Sequence, residues 1–175
     1  MPRNKRKKMD SLSDFVNAHE DSISLMVEQY SGMLVGLCTR LLQDYYLAQD
    51  AVQETFLKAY LKRDSFRGEK TSSEKAWLIS IAVNVCRDQQ RSRWSRMIES
   101  RISVDTLNMV STETAEDQVL LNAVVDSLPE KYRNVLQMYY YQDMTAQEIA
   151  YVVKKSTSVV YRRIREARQV LMELM

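Results

Sequence analysis

MTAQEIAYVVKKSTSVVYRRIREARQVL, residues 144–171, decides how the rest of the chain is read. Thr145 followed three residues later by Glu148 is a capping box, which predicts a helix starting at Ala146. Ile149, Ala150 and Val153 give that short helix one apolar face. Lys154-Lys155-Ser156 breaks the pattern, and the Ser156 hydroxyl is placed to cap a second helix. There Val160, Ile164, Ala167 and Leu171 recur at three- and four-residue steps and should face inward. The outer face carries Tyr161, Arg162, Arg165, Glu166 and Gln169. A short helix, a tight turn and a longer helix with an arginine-rich outer face suit a DNA-binding helix-turn-helix. The plain alternative is an antiparallel helix pair with a solvated basic face. The turn itself is expected to depart from the usual shape. It calls for a left-handed residue, and Lys154 would be strained there by about 1–2 kcal/mol relative to glycine.

Outward from this stretch the chain reads as helix throughout. It has 175 residues, 45% of them apolar, with only three glycines and two prolines. Long segments repeat every three to four residues, and no strand pattern is convincing, so the expected fold is all-α. Net charge is +2, but basic residues cluster: a tail of Arg3, Lys5, Arg6, Lys7 and Lys8, a group at Arg87, Arg91, Arg93 and Arg96, and the last helix. Clustering on a near-neutral chain points to local contact with a polyanion; for the tail, a solubilising leader is the preferred reading. Cys38 and Cys86 fall in apolar helical stripes and should pack as small hydrophobes, as suits a reducing cytoplasm. No apolar run approaches the length of a membrane span, so no membrane insertion and no signal peptide are expected. His19 has no partners at ligand spacing, so neither a metal nor a cofactor is expected.

Ser11 and Asp14 are read as caps of a first short helix, followed by a strong one through Tyr30, Leu34, Leu37, Cys38 and Leu41. Gly32 and Gly36, one turn apart, are either a site of close helix packing or two weak points. After a connection at 43–46, a helix from about Leu47 to Lys62 places Ala48, Val52, Thr55, Phe56 and Ala59 on one side. Its other side carries Asp50, Gln53 and Glu54 together with Leu57 and Leu61. Leucines among acids and amides look built for a partner, unless another helix of the same chain covers them. A polar loop, residues 62–73, holds Phe66 as an exposed candidate aromatic. Thr71 and Glu74 then read as a capping box for a helix to about Met97, with Leu78, Ile81, Ala82, Val85 and Cys86 inward. Its outer stripe is Ser80, Asn84, Arg87, Asp88 and Arg91, bordered by Trp77 and Trp94. Arginines interleaved with aromatics suit single-stranded nucleic acid. Trp94 is the better stacking candidate, and ordinary core is the preferred reading of Trp77. Residues 101–118 lose periodicity and read as an interdomain linker. Leu120, Val124 and Leu128 begin a smaller domain, Pro129 suits the first turn of its next helix, and Tyr132, Val135, Leu136, Tyr139 and Tyr140 form that helix's stripe.

Three segments together resemble one family. LCTRLLQDYYLAQDAVQETFLKAY (37–60), AWLISIAVNVCRDQQR (76–91) and LPEKYRNVLQMYYYQDMTAQEIA (128–150) with the helix-turn-helix are similar to bacterial RNA polymerase sigma factors of the extracytoplasmic-function group. The resemblance spans roughly residues 25–171. It implies an all-helical chain of two small domains, at 11–100 and 119–175, joined by a flexible linker at 101–118. It also implies a sigma factor, not an enzyme, that binds core RNA polymerase and directs promoter-specific initiation in the cytoplasm. By this resemblance Asp50, Gln53, Glu54, Leu57 and Leu61 dock on polymerase. Phe66, Trp77, Ser80, Asn84, Arg87, Arg91 and Trp94 meet the −10 element and its melted non-template strand. Ser158, Tyr161, Arg162, Arg165, Glu166 and Arg168 meet the duplex −35 element; Arg168, further along the helix and nearer its inward flank, is expected to meet phosphate. An inhibitory anti-sigma partner is implied as well. Lys154-Lys155 departs from the family's Gly-apolar turn, and Tyr161, Arg165 and Glu166 are this chain's own reading set. Two rivals stand beside this reading. One is a helix-turn-helix repressor dimerising through its N-terminal domain, which would bind a palindrome. The other is a DNA recombinase, which would need a nucleophile beside converging Arg or His groups, and no such set is visible.

Overall fold

The computed structural model describes residues 12–63, 66, 73–100 and 123–174, and every regular element among them is helical. The basic tail, the linker, Ser11, Thr71 and Leu120 lie outside them. Helix α1 spans Leu12–Leu42, α2 Tyr45–Leu61 and α3 Glu74–Ser100. A short α4 at 123–127 precedes α5, Glu130–Leu136, which runs on as a π-helical turn through Gln137–Tyr141. The helix-turn-helix is α6, Ala146–Val153, and α7, Thr157–Leu174.

The two expected N-terminal helices are a single 31-residue helix. At its far end Gln43 takes a left-handed backbone and its N–H bonds the Thr39 carbonyl at 2.7 Å. Asp44 then caps α2, accepting the Leu47 N–H at 3.1 Å, so α2 starts two residues earlier than its apolar pattern predicts. Helix α3 is capped by Ser73, whose Oγ accepts the Ala76 N–H at 3.1 Å. That corrects the expected box at Thr71: the helix begins at Glu74, and Ser73 is the residue placed to reach its first-turn donors.

Helices α1, α2 and α3 pack on one another. Leu34, Leu37, Ala48, Ala51, Ala59, Leu78 and Val85 are buried there. Each fully buried large aliphatic stabilises the fold by about 1.5–3 kcal/mol. Buried Thr55 donates its hydroxyl to the Ala51 carbonyl at 2.7 Å, which removes the cost of an unpaired polar atom. Gln90 reaches across to the Leu41 carbonyl at 2.9 Å and satisfies one open end of α1. Cys38 and Cys86 are both free and buried, as their stripes predicted. A hydrogen bond with Cys38, then burial, pushes the Cys86 thiol far above its usual range. Gly32 and Gly36 face open space, so neither serves a close approach.

Between α5 and α7 lies a smaller cluster of Leu128, Leu136 and Ala167, flanked by Tyr132, Val170 and Leu171. The large core does not stop at the N-terminal helices. Ile79 and Val83, outside the expected inward stripe of α3, are buried too, and α3 packs against α6. One cluster of buried residues therefore runs from Met26 in α1 to Ile149, Val160 and Ile164 in the helix-turn-helix.

Candidate nucleic-acid and protein interfaces

The outer face of α2 is open. Leu57 is 59% and Leu61 72% exposed, and Asp50 and Gln53 are exposed beside them. Among the described residues, no helix covers the two leucines. Glu54 is half-buried and paired with Lys58 at 2.7 Å, one helical turn on. Tyr46, 79% exposed, belongs to this face and was missed by sequence reasoning. At 100° per residue, positions 46, 50, 53, 57 and 61 fall within an arc of about 80°. The signal was Asp44: taken as the cap, it turns Tyr46 from loop into helix.

The outer stripe of α3 is only partly free. Ser80 bonds back to the Trp77 carbonyl at 2.7 Å, and Asn84 Oδ1 accepts from Arg87 at 3.5 Å. Arg91 is exposed and Trp94 is 62% exposed. Trp77 is only 7% exposed and is core. Phe66, expected to be exposed, lies on it with ring centroids 4.9 Å apart and planes 35° apart. Both rings bury apolar area against each other, so neither offers a free stacking surface as placed. Arg87, Gln90, Arg91, Trp94 and Ser95 line an open cleft whose far wall is Glu130 of α5. A second hollow shares Arg87 and Glu130 and adds Lys131, Asn134, Lys155 and Arg163. Arg163 is a further basic residue here that the outward pattern of α7 did not single out.

In the helix-turn-helix the capping box forms as predicted: Thr145 Oγ1 accepts the Glu148 N–H at 3.2 Å, and Glu148 Oε2 accepts the Thr145 N–H at 3.0 Å. The turn does not avoid the left-handed region. Lys154 sits at φ 53°, ψ 47°. The Lys155 N–H bonds the Ala150 carbonyl at 3.1 Å and the Lys154 N–H points to Tyr151 at 3.4 Å, the paired bonds of a Schellman closure. These bonds satisfy the last carbonyls of α6 and hold the lysine in its strained conformation. Ser156 caps α7 through the Val159 N–H at 3.4 Å. Val160, Ile164 and Ala167 are buried; Ser158, Tyr161, Arg162 and Arg165 are exposed.

Two members of the expected reading set have partners inside the protein. Glu166 accepts the Tyr132 hydroxyl at 3.1 Å and faces Arg162 at 3.9 Å. Arg168 donates to the Tyr140 hydroxyl at 2.7 Å, with its guanidinium 5.6 Å from that ring's centroid. A phosphate contact by Arg168 would have to displace that bond.

A helix-turn-helix with an exposed arginine face, carried on an all-helical body, defines a DNA-binding protein. The family pattern described as sigma-70 region 2 matches residues 26–96, and that of sigma-70 region 4 matches residues 118–171. The RNA polymerase sigma-H factor of Pseudomonas aeruginosa is 26% identical over 164 residues, covering 86% of this chain and 84% of its own. The ECF RNA polymerase sigma factor SigW of Bacillus subtilis is 28% identical over 166 residues, covering 87% and 88%. Among solved structures, the sigma factor RpoE in complex with the anti-sigma factor NepR, from Bartonella quintana, superposes with a TM-score of 0.74 at 22% identity, over 87% of this chain and 96% of its own. CnrH in complex with the cytosolic domain of CnrY gives 0.65 at 23% identity, over 89% and 88%. These two share the fold. The chain belongs to the sigma-70 family, in its extracytoplasmic-function group, and its function is that of a sigma factor in transcription initiation.

Proposed function

We propose that this chain binds core RNA polymerase through the outer face of α2 and then reads a promoter at two places. Tyr46, Asp50, Gln53, Glu54, Leu57 and Leu61 form the docking surface. The observation that carries this is the exposure of Leu57 and Leu61 beside Asp50 and Gln53, since large apolar side chains in an acidic helix face are what a protein interface buries. Ser158, Tyr161, Arg162 and Arg165 read the duplex −35 element from the major groove, with the N-terminal half of α7 entering it. At the −10 element, Ser80, Asn84, Arg87 and Arg91 hold the backbone and Trp94 stacks on an unpaired base. Phe66 and Trp77 take part only if their mutual stack is given up.

Opening each DNA step costs on the order of 1.4 kcal/mol of stacking. Each base captured on an aromatic returns about 1–3 kcal/mol. The margin is narrow, and one exposed tryptophan does not hold a bubble, so melting depends on polymerase. An anti-sigma protein as inhibitor belongs to the same proposal, supported by neighbours solved in such complexes. So does a cytoplasmic location, with which the described residues agree: none of their helices is long and apolar enough to cross a membrane.

Replacing Asp50→Ala and Leu57→Ala together should abolish holoenzyme formation in a pull-down with core polymerase. Helicity and melting temperature should stay near the parent's, because both side chains are exposed. A double variant that unfolds, or one that still forms holoenzyme, removes the docking surface from α2.

A further inference from the structure

Three cations, Lys131 of α5, Lys155 in the turn and Arg163 of α7, take no part in the proposed reading of either promoter element. They converge with Arg87 of α3 on one hollow of about 320 Å³. Arg87 makes a bond of only 3.5 Å to Asn84, and the Lys131 ammonium lies 4.6 Å from the centroid of the Tyr132 ring. The side chains of Lys155 and Arg163 have no hydrogen-bond or ion-pair partner among the described residues. A single carboxylate, Glu130, stands against these four cations. Like charges gathered in this way repel one another, and a multiply charged anion converts that repulsion into attraction.

The hollow adjoins the cleft of about 660 Å³ that runs to Trp94, and Arg87 and Glu130 form the common wall. Both volumes lie in the range of about 300–1,000 Å³ that small-molecule sites occupy. Trp94 is seven residues beyond Arg87 on α3. That is about 10.5 Å along the axis and within about 20° of the same face. An exposed indole, a carboxylate and a group of cations thus follow one another in the order of a base, a sugar and its phosphates. Trp94, 62% exposed, offers a ring face to a base. Glu130 Oε1 accepts from Asn134 at 3.3 Å, and its second oxygen has no partner among the described residues. A carboxylate so placed is a usual partner of ribose hydroxyls. Lysine and arginine hold phosphates by charge-assisted hydrogen bonds.

We propose that the hollow and its cleft together bind a ribonucleoside polyphosphate, with Arg87, Lys131, Lys155 and Arg163 on the phosphates, Glu130 on the ribose and Trp94 on the base. Arg87 and Trp94 also belong to the proposed −10 surface. The free chain without DNA or polymerase is enough to test the site, so its failure and that of promoter reading are separate results.

The test is calorimetric titration of the full chain in magnesium-free buffer, where the side chains meet the bare phosphates. The probes are ATP, dATP, inorganic tripolyphosphate and a short oligodeoxythymidine. ATP should bind one to one, about threefold tighter than dATP through the ribose hydroxyl. It should bind about fivefold tighter or more than tripolyphosphate through the stacked base. Lys131→Gln with Lys155→Gln, both at exposed positions, should weaken ATP, dATP and tripolyphosphate alike by about tenfold or more. Trp94→Leu should bring ATP down to the level of tripolyphosphate and leave tripolyphosphate unchanged. Glu130→Ala should erase the difference between ATP and dATP. A parent that does not bind ATP overturns the site, and so does a double lysine variant with unchanged affinity. Equal affinity for ATP and tripolyphosphate would reduce the site to an anion patch and overturn the nucleotide reading, as would equal affinity for ATP and dATP. Oligodeoxythymidine bound as tightly as ATP, and weakened by the same lysine changes, would make the hollow part of the DNA surface and overturn it as well.

Discussion

Arg165 differs from the other arginines on the outer side of α7. Arg162 faces Glu166 and Arg168 holds the Tyr140 hydroxyl, whereas Arg165 is exposed and has no hydrogen-bond or ion-pair partner among the described residues. A guanidinium free to pair bidentately with a guanine reads sequence, and one that only neutralises phosphate does not. Arg165→Ala should therefore weaken holoenzyme binding to the −35 element by about 1–3 kcal/mol and relax base preference there. Binding to single-base variants at two salt concentrations decides it; equal losses on every variant would leave Arg165 an electrostatic anchor only. At this scale the sequence shows which way a residue points, because helical period is local. It does not show who meets it. Glu166 finds Tyr132 34 residues away, and Phe66 finds Trp77 on α3, so both looked like free contacts until the chain was folded.

Among the elements, the end of α6 shows what a capping residue costs. Lys154 occupies a backbone region where a side chain is penalised by about 1–2 kcal/mol, and it is exposed. Lys154→Gly relieves that strain but loosens the unfolded chain, so a net gain of about 0.5–1 kcal/mol is expected. Urea denaturation should show a higher midpoint with unchanged slope; an unchanged or lower midpoint would mean that the lysine makes a contact worth more than its strain. The elements of the helix-turn-helix were legible because caps and apolar period agree within a few residues. The turn was misjudged because propensity forbids what paired carbonyl bonds then enforce. Helix α1 was divided in two because Ser11 and Asp14 resemble caps, although the helix runs straight through Asp14. The exposed face of α2 was read correctly apart from Tyr46, whose place depended on where the helix began.

The whole molecule was the least legible scale. Two domain-like segments were expected, but nothing local announces that Ile79 and Val83 are buried on a helix that also packs against α6. Because the core is continuous, the free chain should unfold in a single calorimetric transition at neutral pH. Glu148 contributes to the acid sensitivity of the fold. Burial alone would push its carboxyl up, but the Ser73 hydroxyl, the Thr145 N–H and hydroxyl and the nearby Lys75 ammonium outweigh that and hold it below its usual 4.5. A depressed carboxyl contributes stability that is fully present above its unfolded value and lost as pH falls through the lower, folded one. The link between the halves should thus weaken below about pH 4.5, and the transition should broaden or split there. Glu148→Gln should remove that component of the pH dependence. Two separate transitions in the parent at neutral pH would contradict a common core.

The π-helical turn at Gln137–Tyr141 carries a consequence for chain length. Such a turn holds one residue more than the α-helix around it, and here the surplus brings Gln137 and Met138 inside while Tyr140 is left half in water. Deleting one residue from the three consecutive tyrosines would let the helix close regularly. It would also swing everything beyond by about 100°. The buried Met144, the Thr145 cap and the Arg168 bond to Tyr140 are all set by that one additional residue, so this turn acts as a register pin that fixes the azimuth of α7.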